Sequence, residues 1–218
     1  YIDKTFIEKF REDTVNWPQA QTDDIFDWLN RHMARFNQMF ADANCQKRVH
    51  YGILLPLNDS DPDPVIDTIS FAIFPFRYHA TDGDPRAPGY YSRDDDIDYG
   101  LLHEMGHQLG LIDIYQFDVS ANGNQVSGQG YTSVPCLMHG CSPFISEFSA
   151  LAMNSWLDDA HGYYGQFMYN LPQTIRLRLL GFDGQPLRGA TVKMYQLCER
   201  PGLGKLITTQ IKAQGTTD

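Results

Sequence analysis

Tyr99-Gly-Leu-Leu-His103-Glu104-Met-Gly-His107-Gln-Leu-Gly110-Leu-Ile-Asp113 is the most informative stretch of this 218-residue chain. Side chains four residues apart on a helix share a face about one turn apart. His103 and His107 can therefore aim two imidazoles at one metal ion. Glu104 sits beside them, placed to take a proton from a metal-activated water. Leu101, Leu102, Met105 and Leu109 supply the apolar surface that fixes such a helix in a core. The competing reading is two ordinary helix histidines. The combination of His-Glu-x-x-His spacing with Gly110 argues against it.

A catalytic zinc takes three protein ligands and leaves a fourth position for water. Gly110 can adopt a left-handed conformation and end the helix sharply. The chain then turns back, and Asp113 can reach the metal.

These residues resemble the extended motif His-Glu-x-x-His-x-x-Gly-x-x-His of the metzincin metallopeptidases, with Asp113 in place of the last histidine. The Asp-bearing form is similar to snapalysin-like and immune-inhibitor-A-like peptidases, and Gly110-Leu-Ile-Asp113-Ile-Tyr115 looks most like the latter. Pro135-Cys136-Leu137-Met138-His139-Gly140 resembles the Met-turn of such enzymes, which would make Met138 the hydrophobic floor beneath the metal. The segment from Ser142 to Trp156 resembles their closing helix. The resemblance spans roughly residues 65 to 160.

The resemblance implies an α+β zincin domain: a twisted mixed sheet, a backing helix and an active-site helix. It also implies zinc on His103, His107 and Asp113, Glu104 as general base, and hydrolysis of peptide bonds in a protein or peptide substrate. In the related gluzincin class the third ligand is a glutamate on a later helix, which makes Glu147 the rival of Asp113. His139 and Asp118 stand behind it. Gly110 and Met138 favour Asp113. No tyrosine stands two residues after Met138, so the tyrosine switch of astacins and serralysins is not carried over. Tyr131 could contact substrate or steady a developing oxyanion; packing within its loop is the competing reading.

Composition bounds the alternatives. Hydrophobic residues make up 42% of the chain and aromatics 13%, enough for a packed core. The formal net charge of -10 disfavours a nucleic-acid partner, because phosphate would be repelled. No run is long and apolar enough to span a bilayer. Nor does a charged-then-apolar leader stand at Tyr1, so the chain reads as one that begins after processing or as a segment. The Asp-rich stretches Asp82-Gly83-Asp84 and Asp94-Asp95-Asp96-Ile97-Asp98 suit calcium or a solvated acidic loop, and neither completes a twelve-residue calcium loop. Four cysteines occur, Cys45, Cys136, Cys141 and Cys198. A Cys136–Cys141 disulfide could close a loop around the Met-turn, subject to geometry. Disulfides would fit an exported, extracellular or cell-surface protein.

Residues 1–170 read as the catalytic domain. Within it, Ile25, Trp28, Leu29, His32, Phe36, Met39 and Phe40 fall at helical spacing from Thr22 to about Asn44, with His32 read as a satisfied core histidine. Arg48–Leu57 and Val65–Tyr78 read as strands, the second at an edge because of Pro75. His50 reads as structural and His79 as a surface residue. Residues 116–134 read as a long loop that shapes a cleft. Residues 171–218 read as a β-rich accessory segment, with an Asp183-Gly184 turn. Gly184-Gln-Pro-Leu-Arg-Gly-Ala-Thr-Val resembles the opening strands of Cna-B-like or carboxypeptidase-regulatory-like β-sandwiches, cut short or packed on the first domain.

The functional alternative is a non-catalytic zinc-containing binding or adhesion module. Glu104 discriminates: a degenerate zincin commonly loses that residue, and here it is present. No Gly-x-Ser-x-Gly elbow or phosphate-binding glycine loop occurs.

Overall fold

The computed structural model describes residues 2–3, 7–8, 25–50, 56–57, 91–92, 94–155, 176–202 and 204–218. The expected strand Val65–Tyr78, with Pro75, lies outside them, as do Asp82-Gly83-Asp84, His79 and the start of the first helix at Thr22. The chain divides into two compact units, Tyr1–Asp113 with Pro135–Asn170, and Ile114–Val134 with Leu171–Asp218.

In the first unit, helix α1 is Ile25–Asp42, α2 is Tyr99–Gln108 and α3 is Glu147–Ser155. Three apolar or aromatic positions per two turns give α1 its buried face, Ile25, Trp28, Leu29, His32, Met33, Phe36, Met39 and Phe40. Phe36 and Phe40 stack at 4.5 Å between centroids. Each is fully buried, contributing about 2–3 kcal/mol relative to exposure. Strand β1 (Ile2–Asp3) pairs in parallel with β2 (Pro56–Leu57), and β3 (Tyr91–Ser92) pairs antiparallel with β4 (Ile97–Asp98). Among the described residues each sheet has two strands. Helix α1 packs on β4.

The strand expected over Arg48–Leu57 is regular only at Pro56–Leu57 within the described residues. The reason is local. The Asn37 side-chain amide donates to Val49 O and accepts from Val49 N–H, both at 2.7 Å. A side chain of α1 thus takes the groups a strand partner would use.

Within the run Asp94–Asp98, three carboxylates make contacts inside the fold. Asp95 accepts from the Tyr99 hydroxyl at 2.5 Å, and Asp96 pairs with Arg31 at 2.6 Å. Asp98 is the N-cap of α2, its Oδ1 accepting from Gly100 N–H at 2.9 Å and Leu101 N–H at 3.2 Å. His32, at 0% exposure, is the satisfied core histidine expected. Its Nε2 accepts from Asp98 N–H and its Nδ1 bonds Trp28 O, each at 2.8 Å.

Helix α2 ends as its sequence asks. Gly110 has φ +95, Gly110 N–H donates to His107 O, and Leu111 N–H reaches back to Gly106 O, both at 3.0 Å. This paired cap requires the left-handed residue at Gly110. Helix α3 begins at Glu147, five residues after Ser142, where the expected closing segment starts. Ser146 caps it, its Oγ accepting from Ser149 N–H at 3.3 Å.

The second unit is built on a hairpin of β5 (Thr191–Arg200) and β6 (Gly204–Thr216). Register shifts lie between Met194 and Leu197. The Asp183-Gly184 turn exists, with Gly181 N–H on Gln185 O and a Leu180–Pro186 bridge. The longer hairpin, however, turns through Pro201-Gly202. Residues 116–134, expected as a cleft-shaping loop, fold with this hairpin: Gln125 N–H donates to Ile207 O at 2.9 Å, and a side chain at Gly123 would stand 2.3 Å from Lys205 O. Among the described residues no helix is long and apolar enough to cross a membrane.

Replacing Gly110 with alanine forces a side chain into the left-handed region. Urea unfolding should show a loss of about 1–2 kcal/mol; an unchanged midpoint would mean that the turn after α2 does not need glycine.

Candidate metal centre

His103 and His107 occupy successive turns of α2 and are both buried. Each is oriented through Nδ1. His103 Nδ1 bonds Leu137 O at 2.8 Å, and His107 Nδ1 bonds Leu111 O at 2.9 Å. A carbonyl oxygen only accepts, so both rings carry their proton on Nδ1 and, when neutral, present a lone pair at Nε2. Both Nε2 atoms face one atom, Asp113 Oδ1, at 3.0 Å and 3.2 Å. The three residues are each less than a tenth exposed.

Three electron-rich atoms at this spacing call for positive charge among them, from a metal ion or from protons. Ligand atoms about 2.0–2.2 Å from a tetrahedral zinc stand roughly 3.3–3.6 Å from one another. The observed separations agree within a few tenths of an ångström. Two imidazoles with backbone-bonded Nδ1 groups plus one carboxylate is a donor set that zinc accepts. The residues present therefore fit the metal.

No family model, curated protein or solved structure matches this chain. The site is thus read on its own geometry.

Glu104 is exposed, and its carboxylate lies with the His103 and His107 nitrogens in a group spanning no more than 4.8 Å. Glu104 with the two histidines is thus a second set of three ligand atoms that could hold a metal, beside the set made with Asp113. Glu104 and Asp113 both border the two imidazoles. Asp113 Oδ1 touches both imidazole nitrogens, at 3.0 and 3.2 Å, and is buried, whereas Glu104 is exposed.

The turn beneath α2 is held by His139 N–H on Cys136 O at 2.9 Å and Cys141 N–H on Leu137 O at 3.2 Å. Gly140 and Cys141 have positive φ, +74 and +54. Leu137 O thus serves two donors, one closing the turn and one orienting His103. Met138 is fully buried, and its Sδ lies 2.7 Å from where a Cβ on Gly106 would stand. Gly106 was missed in the sequence. Its signal was a glycine inside a helix, which costs about 1 kcal/mol against alanine and so calls for a reason. The reason is the approach of Met138.

The other candidates sit in local surroundings of their own. Glu147 is exposed at the start of α3. His139 is partly buried, its backbone closing the turn. Tyr131 belongs to the second unit, where it pairs with Val119 through its backbone and is 55% exposed. Asp118, in the same unit, accepts from Ser133 N–H at 2.7 Å.

All four cysteines are thiols, and the Cys136–Cys141 disulfide is not formed. Cys136 Sγ instead turns inward and accepts from Ser146 N–H at 3.1 Å. Burial, with Asp98, Glu104 and Asp113 nearby, pushes the Cys141 thiol up to about 12. It stays protonated at neutral pH, unsuited to act as a thiolate nucleophile.

Metal analysis separates the two carboxylate candidates, Asp113 and Glu147. Asp113→Ala should lose stoichiometric zinc while Glu147→Ala retains it; the reverse pattern would reassign the third ligand. Gly106→Ala should weaken zinc by roughly tenfold through displacement of Met138. Adding Met138→Ala should restore part of that loss, and no restoration would mean that the two residues do not interlock.

Proposed function

We propose that this chain is a zinc metallopeptidase that hydrolyses peptide bonds in protein substrates. The observation that carries the reading is the meeting of His103 Nε2, His107 Nε2 and Asp113 Oδ1 with Glu104 on the exposed side. Zinc held there would supply a Lewis acid and make a water acidic near neutral pH.

The chain's own residues divide the remaining work. Leu137 O and Leu111 O keep the two imidazoles in one tautomer and one orientation. Asp113 adds a negative charge that tempers the cation. Glu104 takes the proton from the attacking water and delivers it to the leaving amine, a role that needs a carboxylate near the imidazoles but open to solvent. Met138 and Gly106 close the floor and exclude water from beneath the ligands.

The retained carboxylate at 104 supports hydrolysis over a purely zinc-containing binding or adhesion module. An exported location for the protein is part of the same proposal.

Glu104→Gln tests it. The variant should bind one zinc, as the wild type does, and cleave denatured casein about 10²–10⁴-fold more slowly. Casein cleavage at the wild-type rate would remove Glu104 from the chemistry. Absence of cleavage by the zinc-loaded wild type across a mixed peptide library would favour the binding module.

A further inference from the structure

We propose that His32 is a positioning residue for the metal helix, acting as an acid-sensitive latch between α1 and the first turn of α2. Its effect on zinc rests on the metal-centre reading above, whereas the latch itself is a property of the metal-free chain.

The tautomer of His32 follows from its partners. A backbone N–H only donates, so the bond from Asp98 N–H fixes Nε2 as a lone-pair acceptor. The proton then sits on Nδ1 and is given to Trp28 O, four residues back on α1. Both ring nitrogens are used and the ring is 0% exposed. A second proton would have to sit on Nε2, donor against donor with Asp98 N–H. Protonation therefore breaks this one contact and leaves the Trp28 bond in place.

The contact matters because of where Asp98 stands. The same residue caps α2 through Gly100 and Leu101, five positions before His103. His32 holds the backbone of that cap, so it fixes the start of the helix that carries both imidazole ligands. Arg35 adds a hold next door, donating from Nε to the Tyr99 hydroxyl at 3.0 Å.

Among the described residues, the charged groups facing His32 are Arg31, Asp95 and Asp96. Arg31 is tied to Asp96, and Asp95 lies 3.9 Å from Arg35 and accepts from Tyr99. Their effects oppose one another, and burial outweighs them, pushing the imidazole down to about 4. In the unfolded chain the ring takes its proton near 6.5. The folded state thus binds fewer protons between these values. Stability is full above about 6.5, falls as pH drops toward 4, and loses no more from this group below that. By pH 4.5 the His32 share amounts to roughly fiftyfold or more in the folding equilibrium constant.

The experiment uses metal-free protein first. Nitrogen NMR of the His32 ring and urea unfolding are followed from pH 7 to pH 4.5 in wild type, His32→Gln and His32→Phe. Glutamine can accept from Asp98 N–H and does not titrate. The wild-type ring should stay in the Nδ1–H form below pH 5, and His32→Gln should lack roughly fiftyfold of the acid loss. Zinc affinity at pH 7.5 should stay within about threefold of wild type for His32→Gln and fall about tenfold for His32→Phe. A ring that titrates near 6.5, or equal acid loss in wild type and His32→Gln, overturns the latch whether or not zinc binds. Equal zinc affinity in wild type and His32→Phe overturns the positioning role. If His32→Phe does not fold, the ring titration and the His32→Gln comparison decide the question. Failure of the wild type to bind zinc would reject the metal centre, and with it the positioning role, while leaving the ring titration readable.

Discussion

Two imidazole nitrogens and one carboxylate oxygen are held at 3.0 and 3.2 Å, and the rest of the first unit is arranged to keep them there. Neutral rings would turn lone pairs toward a carboxylate, which is unfavourable in a buried place without a cation. The fold counters this with directional bonds outside the cluster. Leu137 O and Leu111 O hold the rings from behind, and the glycine turn after α2 returns the chain to Asp113. At the other end of α2, Asp98 caps the first turn while His32 grips its backbone. A helix of ten residues is marginal alone, so these anchors at both ends decide whether His103 and His107 stay aligned.

Much of this was legible in the residues. The spacing of His103 and His107 states a shared helical face, and Gly110 three residues later states the turn. Trp28, Phe36 and Phe40 announced α1 through their period, because burial of one face imposes 3.6-residue repetition on any sequence. His32 was readable as a core residue for the same reason. What could not be read were the partners supplied by backbone. Leu111 and Leu137 act through carbonyl oxygens that every residue possesses, so no side-chain pattern marks them. Gly106 was visible as an oddity in a helix, but its cause, Met138, comes from a turn thirty-two positions later.

The departures have a common physical source. Local hydrogen bonds occupy polar groups whose partners no sequence pattern marks. The acids at 95, 96 and 98 were open to a calcium reading; in the fold they serve Tyr99, Arg31 and the α2 N-terminus. Val49 was read as strand, but an amide side chain completes its hydrogen bonds. Residues 116–134, poor in apolar side chains, read as a long cleft-shaping loop. Their backbone finds β6 through Gln125 and Ile207, a pairing between segments some eighty residues apart that composition does not encode.

On the proposed reading a cation belongs among His103, His107 and Asp113. X-ray absorption at the zinc edge of metal-loaded protein measures the donor atoms directly. Two imidazole nitrogens with one or two oxygens are expected, all at about 2.0–2.2 Å. A sulfur neighbour near 2.3 Å, or a shell of oxygens without imidazole scattering, would contradict it.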